Sequence, residues 1–450
     1  MLSLPKVAEP LLSQFSIAFT KPTFQRAMLL FVGFVLTIGR HTVTRTLATV
    51  NCLTCGYFGN YHRVISRARW SLWVLARVHA SIVLELVPKD QPVVVYGDDT
   101  TTQHRGKQVY GKARHRDPLR ATRTHNVWIW GHLWVVLAIS VNFPFSSRPW
   151  ALPVLASLCR SKELDKQEGR EHKTPIILAR QMMATLMHWF PDRRFILVGD
   201  GHYASHEFAR FFHKHRRRLT LVSLFHPNAH LCEAPPPRRP GQMGRRRIRG
   251  EKLPHPQDVV KQTAKRKRTT VSWYGGKKRR VEFVSGTGHW YHPGDGLVPV
   301  RWVFVHDLDG THEDRYFYST DPTLSPSRII SLYTGRWSIE VTFQEAKQQL
   351  GMASPRNRKE KSVLRTVPCL LGLYSLVSIL FHRQKQGKTP KACSFPWYNK
   401  SEVTFSDALC SVRRLLWEQT VFSEADQHDA LKKLPRILRE TLLDQLSRAA

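Results

Sequence analysis

Residues Tyr333–Lys347 read YTGRWSIEVTFQEAK. Tyr333, Arg336, Glu340 and Lys347 follow one another at intervals of three, four and seven, so a helix puts all four on one face. Trp337, Ile339, Val341 and Phe343 are expected in the core. Ser325-Pro326 opens the segment as a favourable helix start and Gly351 closes it, so the spacing predicts one amphipathic helix. On its own, an Arg336–Glu340 pair at i,i+4 on a surface helix contributes only a few tenths of a kcal/mol. A row of tyrosine, arginine, glutamate and lysine therefore asks what the rest of the chain brings to it.

Upstream, two apolar runs end in acid. PVVVYG (Pro92–Gly97) leads into Asp98-Asp99, and RFILVGD (Arg194–Asp200) ends on Asp200. Both read as buried strands. In an α/β sheet the C-terminal strand ends face the crevice where such folds place ligands. A lone aspartate there reads as a turn or cap. Two of them, with Glu340 on a helix among basic residues, make a set of carboxylates suited to a hard divalent cation. Two such ions activate a water or 3′-hydroxyl and stabilise the leaving oxygen of a phosphodiester.

The surrounding pattern predicts a mixed α/β sheet. HNVWIWG and HLWVVLAISV, divided by Gly131, read as a hairpin. PIILARQMMATLMHWF reads as a helix, HEFARFFHKH as another, and Leu219–Phe225 as a strand. Residues 226–280 are rich in proline, glycine and cations and read as a flexible basic insertion. Strand-like RRVEFVSG, VPVRWVFVHD and DRYFYSTD follow. Helical patterns occupy both ends. The expected division is 1–88 helical, 89–225 first part of the core, 226–322 basic and β-rich insertion, 323–360 the helix with Glu340, and 361–450 helical, with a Pro/Lys/Trp loop near GKTPKACSFPWYNK. Val43–Val50 and Tyr61–Trp70 are candidate helices of a helix-turn-helix, with a long loop between them.

Composition bears on partners. The 450 residues carry 69 Lys and Arg against 34 Asp and Glu, a net charge of +35. That surplus points to a polyanion, most naturally nucleic acid. Seven cysteines, an odd number, argue for free thiols in a reducing compartment. Cys52 and Cys55 form a single C-x-x-C with no second pair, short of the ligands of structural zinc. The start MLSLPKVAEPLLSQF lacks the form of a secretory signal. The apolar runs Ala27–Ile38 and Val367–Phe381 fall short of the roughly 20 residues that span a bilayer. The expectation is a cytoplasmic, nucleoid-associated protein without a membrane partner.

These motifs together resemble the DDE transposases of bacterial insertion sequences. Tyr333, Arg336, Glu340 and Lys347 match the Y-x2-R-x3-E-x6-K signature of one subgroup, and Asp200 stands where the second aspartate of the family ends a strand. Asp98 and Asp99 both fit the first aspartate. The resemblance spans about residues 90–350. It implies an RNase H-like mixed-sheet catalytic core with a β-rich basic insertion. It implies Asp98 or Asp99, Asp200 and Glu340 as catalytic residues and ligands of two Mg²⁺ ions, with Mn²⁺ able to substitute. It implies Tyr333 and Arg336 on phosphates near the cut and Lys347 on DNA further along. The activity implied is hydrolysis at the ends of a mobile element and strand transfer into target DNA. The partners implied are its terminal inverted repeats and the target, with a dimer in the synaptic complex.

In the loop after the first aspartates, His104, Arg105, Lys107 and Lys112 are placed to track a DNA backbone. His202 reads as a cap or as support for Asp200. The clusters Arg245–Arg249 and Lys265–Arg268 suit phosphates without sequence preference. Trp273, Trp290 and Trp302 are candidates to stack on a flipped base, and equally to be core. Two alternatives stand beside the transposase: another RNase H-like nuclease or resolvase, which needs no end recognition, and a non-catalytic, domesticated DNA-binding relic.

Overall fold

Strand β1 (Val93–Gln103) is the axis of the molecule. In the computed structural model, which describes residues 4–117, 121–122, 124–238, 243–353, 355–385, 400, 402–422 and 433–448, this strand pairs on both edges. On one side it runs antiparallel to β3 (Trp128–Val141), which carries β2 (Ala113–Arg116) and β4 (Trp150–Cys159) on its outer edge. On the other it runs parallel to β5 (Phe195–Gly199), and β5 runs parallel to β6 (Leu219–Leu224). The order β4-β3-β1-β5-β6 is the RNase H-like core: an antiparallel meander followed by two parallel strands reached through helices.

Side chains alternate across β1. Val93 and Val95 enter one apolar layer with Leu137, Leu197 and Leu221. That layer holds the helices Pro175–Trp189 and His206–Lys214 and the N-terminal helices. Tyr96 enters the opposite layer with Val136, Val198 and Val222, under the helices Pro326–Gly335 and Trp337–Gln349. The period of two thus dictates that Asp98 follows Tyr96 to the second layer and Asp99 follows Val95 to the first.

The expected hairpin at Gly131 is not there. β3 runs straight through Gly131, and the chain reverses later, between Val141 and Trp150, into β4. Gly131 has another reason to be glycine. It faces Gln103 across the β1–β3 ladder, and a Cβ there would meet the Thr102 carbonyl oxygen at 1.9 Å. β4 was obscured by Pro153, which an outer strand bonded on one side tolerates.

The segment 226–280 is structured where it is described. It contributes β7 (Leu231–Cys232), a helix Pro256–Gln262 and β8 (Lys267–Ser272). With β9 (Lys278–His292), β10 (Gly296–Asp307) and β11 (Arg315–Ser319) it extends the same sheet beyond β6, in the order β6-β11-β10-β9-β7, with β8 also on β9. The basic run at 265–268 is therefore β8 and its approach: ladder pairing satisfies its backbone while its cations face outward. The region near 387–400 lies almost wholly outside the described residues, as do 239–242.

Two further expectations change. The segment after Ser325 is two helices, Pro326–Gly335 and Trp337–Gln349, joined at Arg336. Val367–Phe381 lies inside a 25-residue helix, Glu360–Gln384, long and apolar enough by itself to cross a membrane. It is two-thirds buried against the protein core, and Ser375 within it bonds to the Pro153 carbonyl of β4. At the N-terminus, helices Val43–Thr49 and Gly59–Ser66 flank a short 3₁₀ turn, and Cys52 and Cys55 are exposed free thiols.

Candidate active site

In the parallel ladder of β1 and β5, Gly97 stands opposite Gly199. The next residues, Asp98 and Asp200, therefore stand at the same level, but only Asp200 follows a strand end: β1 runs on past Asp98 and Asp99 to Gln103, held by β3, where the apolar run alone had suggested an end. Asp200 caps the turn that follows: its Oδ1 accepts from the His202 backbone N–H at 2.9 Å, and its own carbonyl accepts from the Ser223 hydroxyl on β6 at 2.7 Å. The His202 ring is exposed, with Nδ1 3.4 Å from Asp200 Oδ2.

Glu340 and Arg336 descend on this point from the helix junction. Arg336 Nη1 donates to Asp98 Oδ2 at 2.5 Å, and Nη2 donates to Glu340 Oε1 at 2.8 Å. One guanidinium thus bridges an aspartate of the central strand and the helix glutamate. The junction makes this reach possible. Arg336 N bonds to the Tyr333 carbonyl and Ile339 N to that of Arg336, tight i→i+3 bonds that tilt the second helix relative to the first. Gly335 lets the junction sit on β1, because a Cβ there would come within 2.7 Å of the Tyr96 hydroxyl oxygen.

Burial pushes the Asp98 carboxyl up to about 7, with Asp200 and Glu340 adding to the rise and Arg336 opposing it. That is the signature of several carboxylates sharing one site. Asp99 lies on the other side of the strand. Its Oδ1 accepts from the Tyr203 hydroxyl at 2.8 Å, and burial pushes it up to about 6 against that bond. Asp200 raises both carboxyls, so Arg336 is what distinguishes them: it pairs with Asp98 and Glu340, whereas Asp99 bonds to Tyr203.

The other sequence candidates are distributed as follows. Tyr333 is buried, its ring 4.4 Å from that of Phe317 and beneath the Arg336 guanidinium at 5.7 Å. Its contact in the folded chain is thus with Arg336. Lys347 is half-buried, and burial lowers its pKa while Asp117 pulls it up. Arg105 and Lys107 are exposed. Arg105, with Arg40, His104, Arg356 and Arg358, lines a basic cavity of about 230 Å³. Lys112 turns back to the Gly106 carbonyl at 2.5 Å. Trp273 and Trp302 are buried and Trp290 packs in the core.

Sequence reading missed two residues. Tyr203 anchors Asp99, and the only sign in the sequence was its place three residues past Asp200. Trp337, expected in the core beside buried Ile339 and Phe343, is 39% exposed, next to Arg336 in the chain. It heads the second helix, so the turn at the junction, and not the helical repeat alone, sets its direction.

A sheet of this order, with aspartates at one level of its two central strands and a glutamate on a helix above them, defines the RNase H-like carboxylate nucleases. A family model described as DDE superfamily endonuclease matches residues 14–280. That is more than half of the chain, and the chain belongs to this family. The match includes Asp98, Asp99 and Asp200 and ends before Glu340. The family implies dependence on a divalent metal. No curated protein matches the chain. Among seven solved chains that do is a piggyBac transposase synaptic complex with hairpin DNA, seen by cryo-EM. It is 11% identical, covers 98% of this chain and 87% of its own, and has a TM-score of 0.44.

Proposed function

We propose that this DDE endonuclease is a DNA transposase of a bacterial insertion sequence. It cleaves phosphodiesters at the terminal inverted repeats of its own element and joins the freed 3′-hydroxyls to target DNA. The observation that carries the reading is Arg336, which pairs with both Asp98 and Glu340 while Asp200 adds to the rise of the Asp98 carboxyl, in a chain of net charge +35. Asp98, Asp200 and Glu340 would hold the divalent ions, two Mg²⁺ or Mn²⁺. The donors fit: three carboxylates are the oxygen set such ions take, and Asp200 and Glu340 add to the burial that raises Asp98. When bound, the ions lower the pKa of an attacking water or hydroxyl and stabilise the leaving oxygen.

The chain's own residues supply the rest. Arg336 is placed to hand its guanidinium from the carboxylates to a phosphate of the scissile strand, for which its fork geometry is suited. Tyr333 supports it from beneath. Lys347, Arg105, Lys107 and the cations of β8 bind the backbone, with a salt-dependent contribution from each. The helical N-terminal region recognises the ends, the 226–322 insertion lies along the DNA, and two chains meet in the synaptic complex. The protein works where such DNA is, in the bacterial cytoplasm on the nucleoid.

The test is cleavage of a plasmid carrying the sequences that flank the gene, with Mg²⁺ or Mn²⁺, by wild type and by Asp98→Asn, Asp200→Asn and Glu340→Gln. Nicking at the element ends by wild type only, with end binding retained in all four, supports the proposal. End binding without cleavage by any of them overturns the catalytic reading in favour of a DNA-binding relic. Cleavage that ignores the ends favours a resolvase-like nuclease.

A further inference from the structure

The β9–β10 hairpin returns to the core at the start of the helix His206–Lys214, six residues past Asp200. Three potential ligands meet there: His206 from the helix, His292 from the end of β9 and Asp295 from the turn. His206 is buried. Its Nε2 lies 3.0 Å from the Trp290 carbonyl oxygen and must donate to it, which leaves Nδ1 as a bare lone pair. That Nδ1 is enclosed and has no hydrogen-bond partner. A buried acceptor left unpaired costs about 1–3 kcal/mol, so its persistence calls for a reason. It faces Asp295 Oδ2 at 4.0 Å, and His292 Nδ1 is 3.0 Å from the same oxygen. The three donor atoms lie within 4.8 Å of one another.

We propose that His206, His292 and Asp295 bind a transition-metal ion of the zinc class, which clips the β9–β10 hairpin to the core helix beside the Asp200 turn. Two imidazoles and one carboxylate suit zinc and its neighbours, whereas magnesium prefers oxygen alone. The site is thus chemically distinct from the Asp98–Asp200–Glu340 cluster. A histidine whose second nitrogen donates to a backbone carbonyl is the usual zinc-ligand arrangement, since that bond fixes ring and tautomer. Ligand atoms about 2.0–2.2 Å from a tetrahedral ion stand a little over 3 Å apart, so the widest gaps close by small side-chain rotations. Arg210 Nη1 holds the other Asp295 oxygen at 3.3 Å, orienting Oδ2 towards the histidines while weakening the site's net attraction for a cation.

The experiment uses the full chain with Asp200→Asn and Glu340→Gln, which removes the carboxylate site as a competitor. After dialysis against a chelator, Zn²⁺ is titrated against a chromophoric competitor, and Co²⁺ is followed by its visible absorption. The expected result is one tight ion per chain and a rise in Tm with Zn²⁺. His292→Ala with Asp295→Asn, both near the surface of the hairpin, should weaken that binding at least about tenfold and abolish the Tm rise, with circular dichroism unchanged. Equal Zn²⁺ affinity in the hairpin variant, as scattered histidines or Cys52 and Cys55 would give, overturns the proposal. So does the absence of a tight site before the hairpin is altered.

Discussion

Arg336 lies 2.5 Å from Asp98 and 2.8 Å from Glu340, so a residue at the joint of two helices holds an aspartate of the central strand and a helix glutamate together. In the protein without metal this guanidinium is the main countercharge for the cluster. Arg336→Ala should destabilise the metal-free protein by roughly 2–4 kcal/mol at pH 8, since it strands a buried carboxylate. The sign with pH follows from Asp98. A carboxyl raised to about 7 favours the fold when protonated, and that contribution is lost as pH rises from about 4 through 7. The cost of Arg336→Ala should therefore be smaller at pH 5.5. Thermal melts at the two values check this, and an equal cost at both would count against the pairing.

Asp98 and Asp99 are adjacent but face opposite layers. Asp98→Asn should abolish cleavage and leave the fold intact. Asp99→Asn keeps an oxygen for the Tyr203 hydroxyl and should cost about 1–2 kcal/mol of stability while cleavage persists. A plasmid-nicking assay alongside urea denaturation separates them. Loss of activity only in Asp99→Asn would reverse the assignment.

Gly131 allows β3 and β1 to approach without a side chain between them. Gly131→Ala should cost at least about 2–3 kcal/mol, because the obstacle is the Thr102 backbone and cannot rotate away. The measurement is the urea midpoint; a variant as stable as wild type would mean that the ladder is looser at this point.

His79, His104 and His132 are buried, and burial lowers each to about 4. Lowered values mean that the neutral rings favour the fold at pH above about 6.5, and that this contribution is lost as pH falls towards 4. By that difference each is worth at most about 3 kcal/mol. Acid unfolding should begin below pH 6, and His79→Gln, which can still donate to the Pro153 carbonyl, should shift its onset to lower pH.

Trp337, next to Arg336 in the chain, is exposed. Trp337→Ala should weaken single-stranded DNA binding by about 5- to 100-fold, the range of one lost stacking contact, with the melting temperature nearly unchanged. Fluorescence anisotropy with a labelled oligonucleotide measures it.

Much of the site was legible because its signals are local. Helical spacing grouped Tyr333, Arg336, Glu340 and Lys347, and apolar runs ending in acid marked Asp98, Asp99 and Asp200. Local signals also misled. Gly131 looks like a turn when only the chain is read, since its reason is a carbonyl on another strand. β4 was hidden by Pro153, and the cations of β8 read as flexible because a strand at the sheet's periphery needs few apolar residues. The pair at 98 and 99 stayed open because both residues carry the same group.

By itself, then, the sequence determined the chemistry of the chain: its charge, its acidic strand ends and the polar row above them, all set by residue type and by periods of 2 and 3.6 within single elements. Only the tertiary structure decided which aspartate meets Glu340, which tryptophan meets solvent, and that the basic insertion continues the central sheet. Those outcomes depend on strand register and on the angle of a helix joint, which arise from pairing between residues far apart in the chain.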